Sequence, residues 1–312
     1  MIADWQQRLE QGQLLLIDGG TGSELQRRGV RGDEATWSGA AVQKHDTLIR
    51  EIHEDYIRAG AQVIITNTFG TSRQMLEGAG LGGDVRRINQ RAVEVAKEAR
   101  DNAAERPVAI AGSVSAMPPH FDRSAYPDAD AELEVYRELV DILANAGVDL
   151  IALEMMEETQ HAPLAIQAAI ETGLPIWLGI SCKLHPETGG VVSFSHPDLS
   201  LERLLDTCLR ETPAVVNLMH SEIDAISEAI GVVQERWDGP LGVYPESGTF
   251  TQPNWTFVDI IAPEDLARKA IDWVAAGVQL LGGCCGTSPD HIRALHDAMP
   301  DLETARQRDR SR

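Results

Sequence analysis

The chain has 312 residues, of which 43% are hydrophobic and 24% charged, and a formal net charge of −21. So acidic a surface repels nucleic acid and anionic membranes and excludes both as partners. Four cysteines are too few for a disulfide scaffold, Met1–Gln13 lacks the apolar core of a leader, and no apolar run reaches the ~20 residues of a membrane span, so the sequence reads as a cytoplasmic protein in a reducing compartment.

In chain order, Leu14–Asp18 is a short apolar run that ends in Asp18-Gly19-Gly20-Thr21-Gly22, and Ser23–Arg28 reads as helix. Gln43–Ala59 carries Leu48, Ile49, Ile52, Tyr56 and Ile57 at helical spacing and stops at Gly60. Gln62–Asn67 is a β-rich run, Val85–Ala103 a helix and Val108–Ser113 a third strand. The helix predicted over Ala131–Ala146 leads into a fourth strand, Asp149–Glu154, which ends in a carboxylate. Helices over Thr159–Glu171, Leu199–Leu209, Glu222–Arg236 and Pro263–Ala276 then alternate with strands over Pro175–Cys182, Ala214–Met219, Leu241–Tyr244 and Val278–Leu281. A last helix starts at Pro289, with Ser288 as its N-cap.

The strands are continuous apolar stretches rather than alternating ones, as suits parallel strands covered on both faces. Eight such units point to the α/β class and to a single (β/α)8 TIM barrel over residues 1–300, followed by a charged, disordered tail over 301–312. A barrel places its chemistry where strands end. The polar residues cluster there: Asp18, Asn67, Ser113, Glu154, Ser181, Cys182, Asn217, His220, Glu246, Ser247, Cys284 and Cys285. The adjacent thiols at Cys284 and Cys285 form a mutual disulfide only with strain, but can both reach one soft metal. The competing reading is a pair of small packing thiols.

Gly282-Gly283-Cys284-Cys285-Gly286-Thr287, taken with Asp18-Gly19-Gly20-Thr21-Gly22, Thr66-Asn67-Thr68-Phe69 and Glu154, resembles the homocysteine S-methyltransferase family from about Leu14 to Met299. The resemblance implies a barrel that holds zinc (Zn2+) through three cysteines, two of them matching Cys284 and Cys285. It implies homocysteine and a small methyl donor as partners and methionine as product. It also implies that Glu154 binds the substrate amino group, against the alternative of a salt bridge to a neighbouring loop. From the residues themselves, Asp18 holds substrate or caps the turn at Gly19 and Gly20, the backbone N–H groups of Gly20 and Thr21 can receive a substrate carboxylate at a helix start, and Asn67 orients a ligand or a loop. No general base is required if the metal displaces the thiol proton. Assembly into a homo-oligomer is compatible with the sequence, which specifies no oligomeric state.

Leu218 stands where the family's third cysteine is expected, and leucine cannot bind zinc. Three completions are open. His220 supplies the third ligand, favoured because alternate strand residues share a side; Cys182 enters from the fifth strand; or zinc is lost and the barrel does other chemistry. Glu246 stands where relatives carry Asn, so that an added carboxylate is expected at the mouth, either against a cationic donor or as a solvated charge. The loop Ala116–Asp130 is Pro-rich and reads as a lid over the mouth, with Met117, Phe121 and Tyr126 able to pack around an onium group. Two further functions remain open at this level: a divergent relative with another thiol acceptor or methyl donor, such as an osmolyte demethylase, and a non-catalytic barrel that binds thiols or zinc.

Overall fold

A computed structural model of the protein describes residues 4–309. Eight short parallel strands form one sheet: β1 (Leu15–Leu16), β2 (Val63–Ile65), β3 (Ala109–Ser115), β4 (Leu150–Glu154), β5 (Ile176–Ile180), β6 (Val215–Met219), β7 (Leu241–Tyr244) and β8 (Leu280–Leu281). Each pairs with its sequence neighbour, and β1 returns to β8 in the register Leu15↔Leu280. The seam between β1 and β2 is closed by the Gln62 N–H on the Leu16 carbonyl at 2.7 Å and the Asp18 N–H on the Val63 carbonyl at 3.1 Å. The result is a (β/α)8 barrel.

Strand alternation divides the core into two layers. Val216, Leu218, Ile151, Leu153, Leu241 and Val243 face the surrounding helices. Leu15, Val63, Ala109, Leu150, Trp177, Val215, Met219 and Tyr244 fill the barrel interior. The polar residue that ends β4, Glu154, follows Leu150 and Ala152 on the inward face, and so emerges at the mouth. The opposite end is plugged by the short helix Trp5–Glu10, whose Trp5 meets Trp177 edge to face at 5.3 Å between ring centroids. The helices stop where the sequence indicates: Gly60 and Gly147 take the left-handed cap, at φ 117° and 84°.

The sequence did not announce the short helices Trp5–Glu10 and Arg73–Gly78, two hairpins or a terminal helix. Two antiparallel hairpins, Cys182–Leu184 with Val191–Ser193 and Thr249–Thr251 with Asn254–Thr256, follow β5 and β7 on the side of the strand ends. The tail expected to be disordered from Asp301 is instead helical over Met299–Asp309 and packs on the helix Pro263–Ala275. Leu302 is fully buried there and Ala305 nearly so, which gives the helix the apolar seam that orders it. Residues 310–312 of the expected tail lie outside the described residues.

Candidate metal and substrate site

The loop after β8 is drawn tightly onto its neighbours. The Gly283 N–H donates to the Asp18 carbonyl at 3.1 Å, the Cys284 N–H to the Pro245 carbonyl at 2.9 Å, and the Ser247 N–H to the Cys285 carbonyl at 2.9 Å. Glycine is required at Gly286, where φ is 81° and an added Cβ would fall 1.6 Å from the Ser247 carbonyl oxygen. It is required again at Gly20, where a Cβ would meet the Cys284 carbonyl oxygen at 2.6 Å. These close approaches fix both thiols at the mouth.

His220 joins them. Its Nδ1 lies 3.6 Å from Cys284 Sγ, and the two sulfurs lie 4.0 Å apart. One ligand atom from each of the three residues falls within 4.8 Å of the others, and no other such His/Cys/Asp/Glu group occurs among the described residues. The route by which His220 arrives differs from the alternation expected of an extended strand. Leu218 faces the helices, and β6 ends at Met219. His220 then takes φ 43°, a left-handed conformation uncommon outside glycine, and the turn carries its ring to the thiols. Cys182 does not approach them. It is fully buried in the helix-facing core beside Ser221, and burial pushes its thiol up to about 12.

The charges interlock. The Cys285 thiol, hydrogen-bonded to Cys284, holds the Cys284 thiol well below its ordinary value despite burial, with His220 adding to the effect. Sharing that proton, together with burial, pushes Cys285 well up. Burial disfavours the charged form of His220, but Glu246 and Cys284 outweigh it and raise the imidazolium to about 9. In the metal-free protein the three groups thus favour the charged forms of Cys284 and His220 and the neutral form of Cys285.

The residues expected to meet substrate separate into two groups. Glu154 lines the cavity, as do Gly20, Thr21 and Asn67. Ser113 Oγ donates to Glu154 Oε2, and burial pushes the Glu154 carboxyl up to about 8. The Asn67 amide is engaged at both ends by Ser38, donating to its carbonyl at 2.8 Å and accepting from its hydroxyl at 2.9 Å, so Asn67 orients a loop. Asp18 and Glu246 do not line the cavity. Asp18 accepts the Ile65 N–H at 2.8 Å and so ties the first two strands together; burial pushes its carboxyl well up. Glu246 turns behind His220, with its Oε2 3.2 Å from Nε2.

Over this floor stands an aromatic wall. Trp37, Phe69, Phe121, Tyr244, Phe250 and Trp255 line the cavity, which encloses about 140 Å³. Successive rings touch: Trp37 with Phe69 at 6.2 Å, Trp37 with Phe250 at 6.3 Å, Phe250 with Trp255 at 6.3 Å and Phe121 with Phe250 at 6.1 Å between centroids. Of the expected lid residues, Met117 and Phe121 line the cavity. Tyr126 does not: it stacks on His161 and donates to the Ala116 carbonyl at 2.7 Å. The lid is pinned to the loop after β4 by Arg123, which pairs with Glu157 at 3.3 Å and with Glu158. Trp37, Phe250 and Trp255 were not singled out in the sequence. Trp37 follows the helix Thr21–Arg27, and Phe250 and Trp255 face each other on the three-residue strands of the second hairpin, segments too short to show a periodicity.

A family model described as "Homocysteine S-methyltransferase" matches residues 15–299. Homocysteine S-methyltransferase 4 of Zea mays is 29% identical over 94% of this chain and 92% of its own length. A selenocysteine methyltransferase of Astragalus bisulcatus is 29% identical over 91% of this chain and 92% of its own. Among solved structures, the oxidised form of the homocysteine methyltransferase MmuM from Escherichia coli superposes with a TM-score of 0.76 at 25% identity, covering 93% of this chain and 98% of that one. The metallated form of the same enzyme gives 0.71 at 25% identity, covering 93% and 97%.

Proposed function

Because this chain belongs to the homocysteine S-methyltransferase family, we propose that it is a zinc-dependent transferase moving a methyl group from an onium donor to the sulfur of homocysteine, with methionine as product. The observation that carries the reading is the meeting of His220, Cys284 and Cys285 at the floor of an aromatic-walled cavity. One nitrogen and two sulfurs fit a catalytic zinc site, which takes three protein ligands and leaves a fourth position open. Tetrahedral bonds of ~2.3 Å place two sulfurs ~3.8 Å apart, close to the 4.0 Å between Cys284 and Cys285. When bound there, zinc would hold the acceptor sulfur as its thiolate at neutral pH.

The chain's own groups orient the two substrates. Glu154, inside the cavity, offers a carboxylate to the amino group of the acceptor, and that cation in turn favours the ionised form of Glu154. Gly20 and Thr21 form the wall against which the acceptor carboxylate lies. Asn67 holds the Ser38 loop that carries Trp37 into place, and Asp18 holds the first two strands in register beneath it. The aromatic faces attract a sulfonium or quaternary ammonium and lose that attraction once the donor becomes neutral. The new S–CH3 bond forms as the donor's C–S or C–N bond breaks, and the bonding pair leaves on the donor heteroatom. Because the departing atom takes a lone pair rather than a proton, no acid is needed on the protein.

The test is turnover by zinc-loaded protein with homocysteine and a panel of donors: betaines, sulfonium compounds and methylcobalamin. The expected result is methionine from a sulfonium or ammonium donor. Methionine from methylcobalamin alone would overturn the onium reading. No methionine from any donor, with zinc bound, would overturn methyl transfer to homocysteine.

A further inference from the structure

His220 is gripped at both ring nitrogens. Nδ1 lies 3.6 Å from Cys284 Sγ and Nε2 lies 3.2 Å from Glu246 Oε2. Phe194 and Trp255 hold the ring from the sides, at 5.2 Å and 5.9 Å between centroids. Glu246 comes from the loop after β7, with its backbone N–H on the Ser221 carbonyl at 3.2 Å. Its side chain is 11% exposed and does not line the cavity, so the carboxylate faces the imidazole and not the substrate space. A buried carboxylate persists only with a partner, and the left-handed backbone at His220 shows that the chain holds a strained conformation to deliver this ring.

Charge gives the arrangement a purpose. A neutral imidazole brings no charge to a site whose other two ligands are thiols, and Glu246 sets a carboxylate beside it. We propose that Glu246 is the positioning residue of the metal centre. It accepts the Nε2–H of His220, which fixes the tautomer whose Nδ1 lone pair points to the metal, and its charge raises the basicity of the ring toward the metal. The pair His220–Glu246 acts as a unit. The inference rests on the reading of His220 as a zinc ligand.

The experiment measures zinc affinity by competition with a chromophoric chelator, and the visible spectrum of the cobalt(II)-loaded protein. It compares wild type, Glu246→Gln, His220→Ala, His220→Cys and the double variant His220→Cys/Glu246→Gln. Glu246→Gln is isosteric and is expected to weaken zinc binding about 10- to 100-fold and to shift the cobalt d–d bands. In the His220→Cys background no ring N–H remains to be oriented, so Glu246→Gln is expected to leave affinity unchanged or to tighten it by removing a nearby anion. Wild-type affinity in Glu246→Gln overturns the proposal without requiring any other variant to fold. An equal loss in both backgrounds overturns it as well. His220→Ala with wild-type affinity would instead strike the reading of His220 as a ligand, an outcome separable from the others.

Discussion

Glu154 lies inside the protein with the Ser113 hydroxyl on its carboxyl, and burial pushes that carboxyl up to about 8. A carboxyl raised above its unfolded value of ~4.3 binds more protons in the folded chain. Its contribution to stability is therefore full below the unfolded value and is lost as pH rises through about 8. Glu154→Gln cannot ionise, so its melting temperature relative to wild type should rise between pH 5 and pH 8.5 in metal-free protein. A difference that stays constant with pH would refute the burial argument. In the loaded enzyme the same substitution leaves a buried ammonium unpaired, and calorimetry should show homocysteine binding weakened on the order of 100-fold or more. At this scale Glu154 was marked in the sequence as a carboxylate closing an apolar strand, Cys284 and Cys285 as adjacent thiols on a glycine-rich turn, and His220 by its place two residues beyond Leu218. Glu246 was legible as unusual, but not in its direction, since sequence does not state which way a loop residue faces. Tyr126 was misread for the same reason: its ring stacks on His161 rather than over the mouth.

On the proposed reading, the elements that meet the donor are the hairpin Thr249–Thr251/Asn254–Thr256 and the lid, whose rings line the cavity. Phe250 stands between Trp37, Phe121 and Trp255 and is 38% exposed. Removing one aromatic face from a cation costs about 0.5–2 kcal/mol. Phe250→Ala should therefore raise the donor KM by ~2- to 30-fold while zinc affinity and homocysteine binding stay unchanged. A loss of zinc in this variant would show that the hairpin supports the metal site and not the donor. The hairpins escaped the sequence reading because each strand spans three residues, too few for a period-2 pattern. His220 was reached from sequence by strand alternation, yet the strand stops at Met219 and a left-handed residue does the turning. The residue was recognised, but the geometry behind it was not.

For the whole molecule, the eight apolar runs and their helix stops were enough to read a barrel, because strands covered on both faces have no polar side to disguise them. The terminal helix Met299–Asp309 was missed, since among its residues of described burial just Leu302 and Ala305 are buried, within an otherwise polar stretch. Leu302→Ala should cost about 2–5 kcal/mol, read as a lower urea midpoint at unchanged slope. No change in midpoint would mean that the helix is not part of the cooperative fold. The aromatic wall, the lid and the His220–Cys284–Cys285 cluster converge from the connections that follow six strands, a tertiary outcome that no single stretch announces. The proposed function rests on a Cys2His zinc centre at the barrel mouth. The most direct test is zinc content per chain in protein purified without chelator and re-loaded with zinc, for wild type, Cys284→Ala, Cys285→Ala and His220→Ala. The account predicts one zinc ion per chain in wild type and loss of the ion in each variant; wild type that holds no zinc, or His220→Ala that keeps it in full, would contradict it.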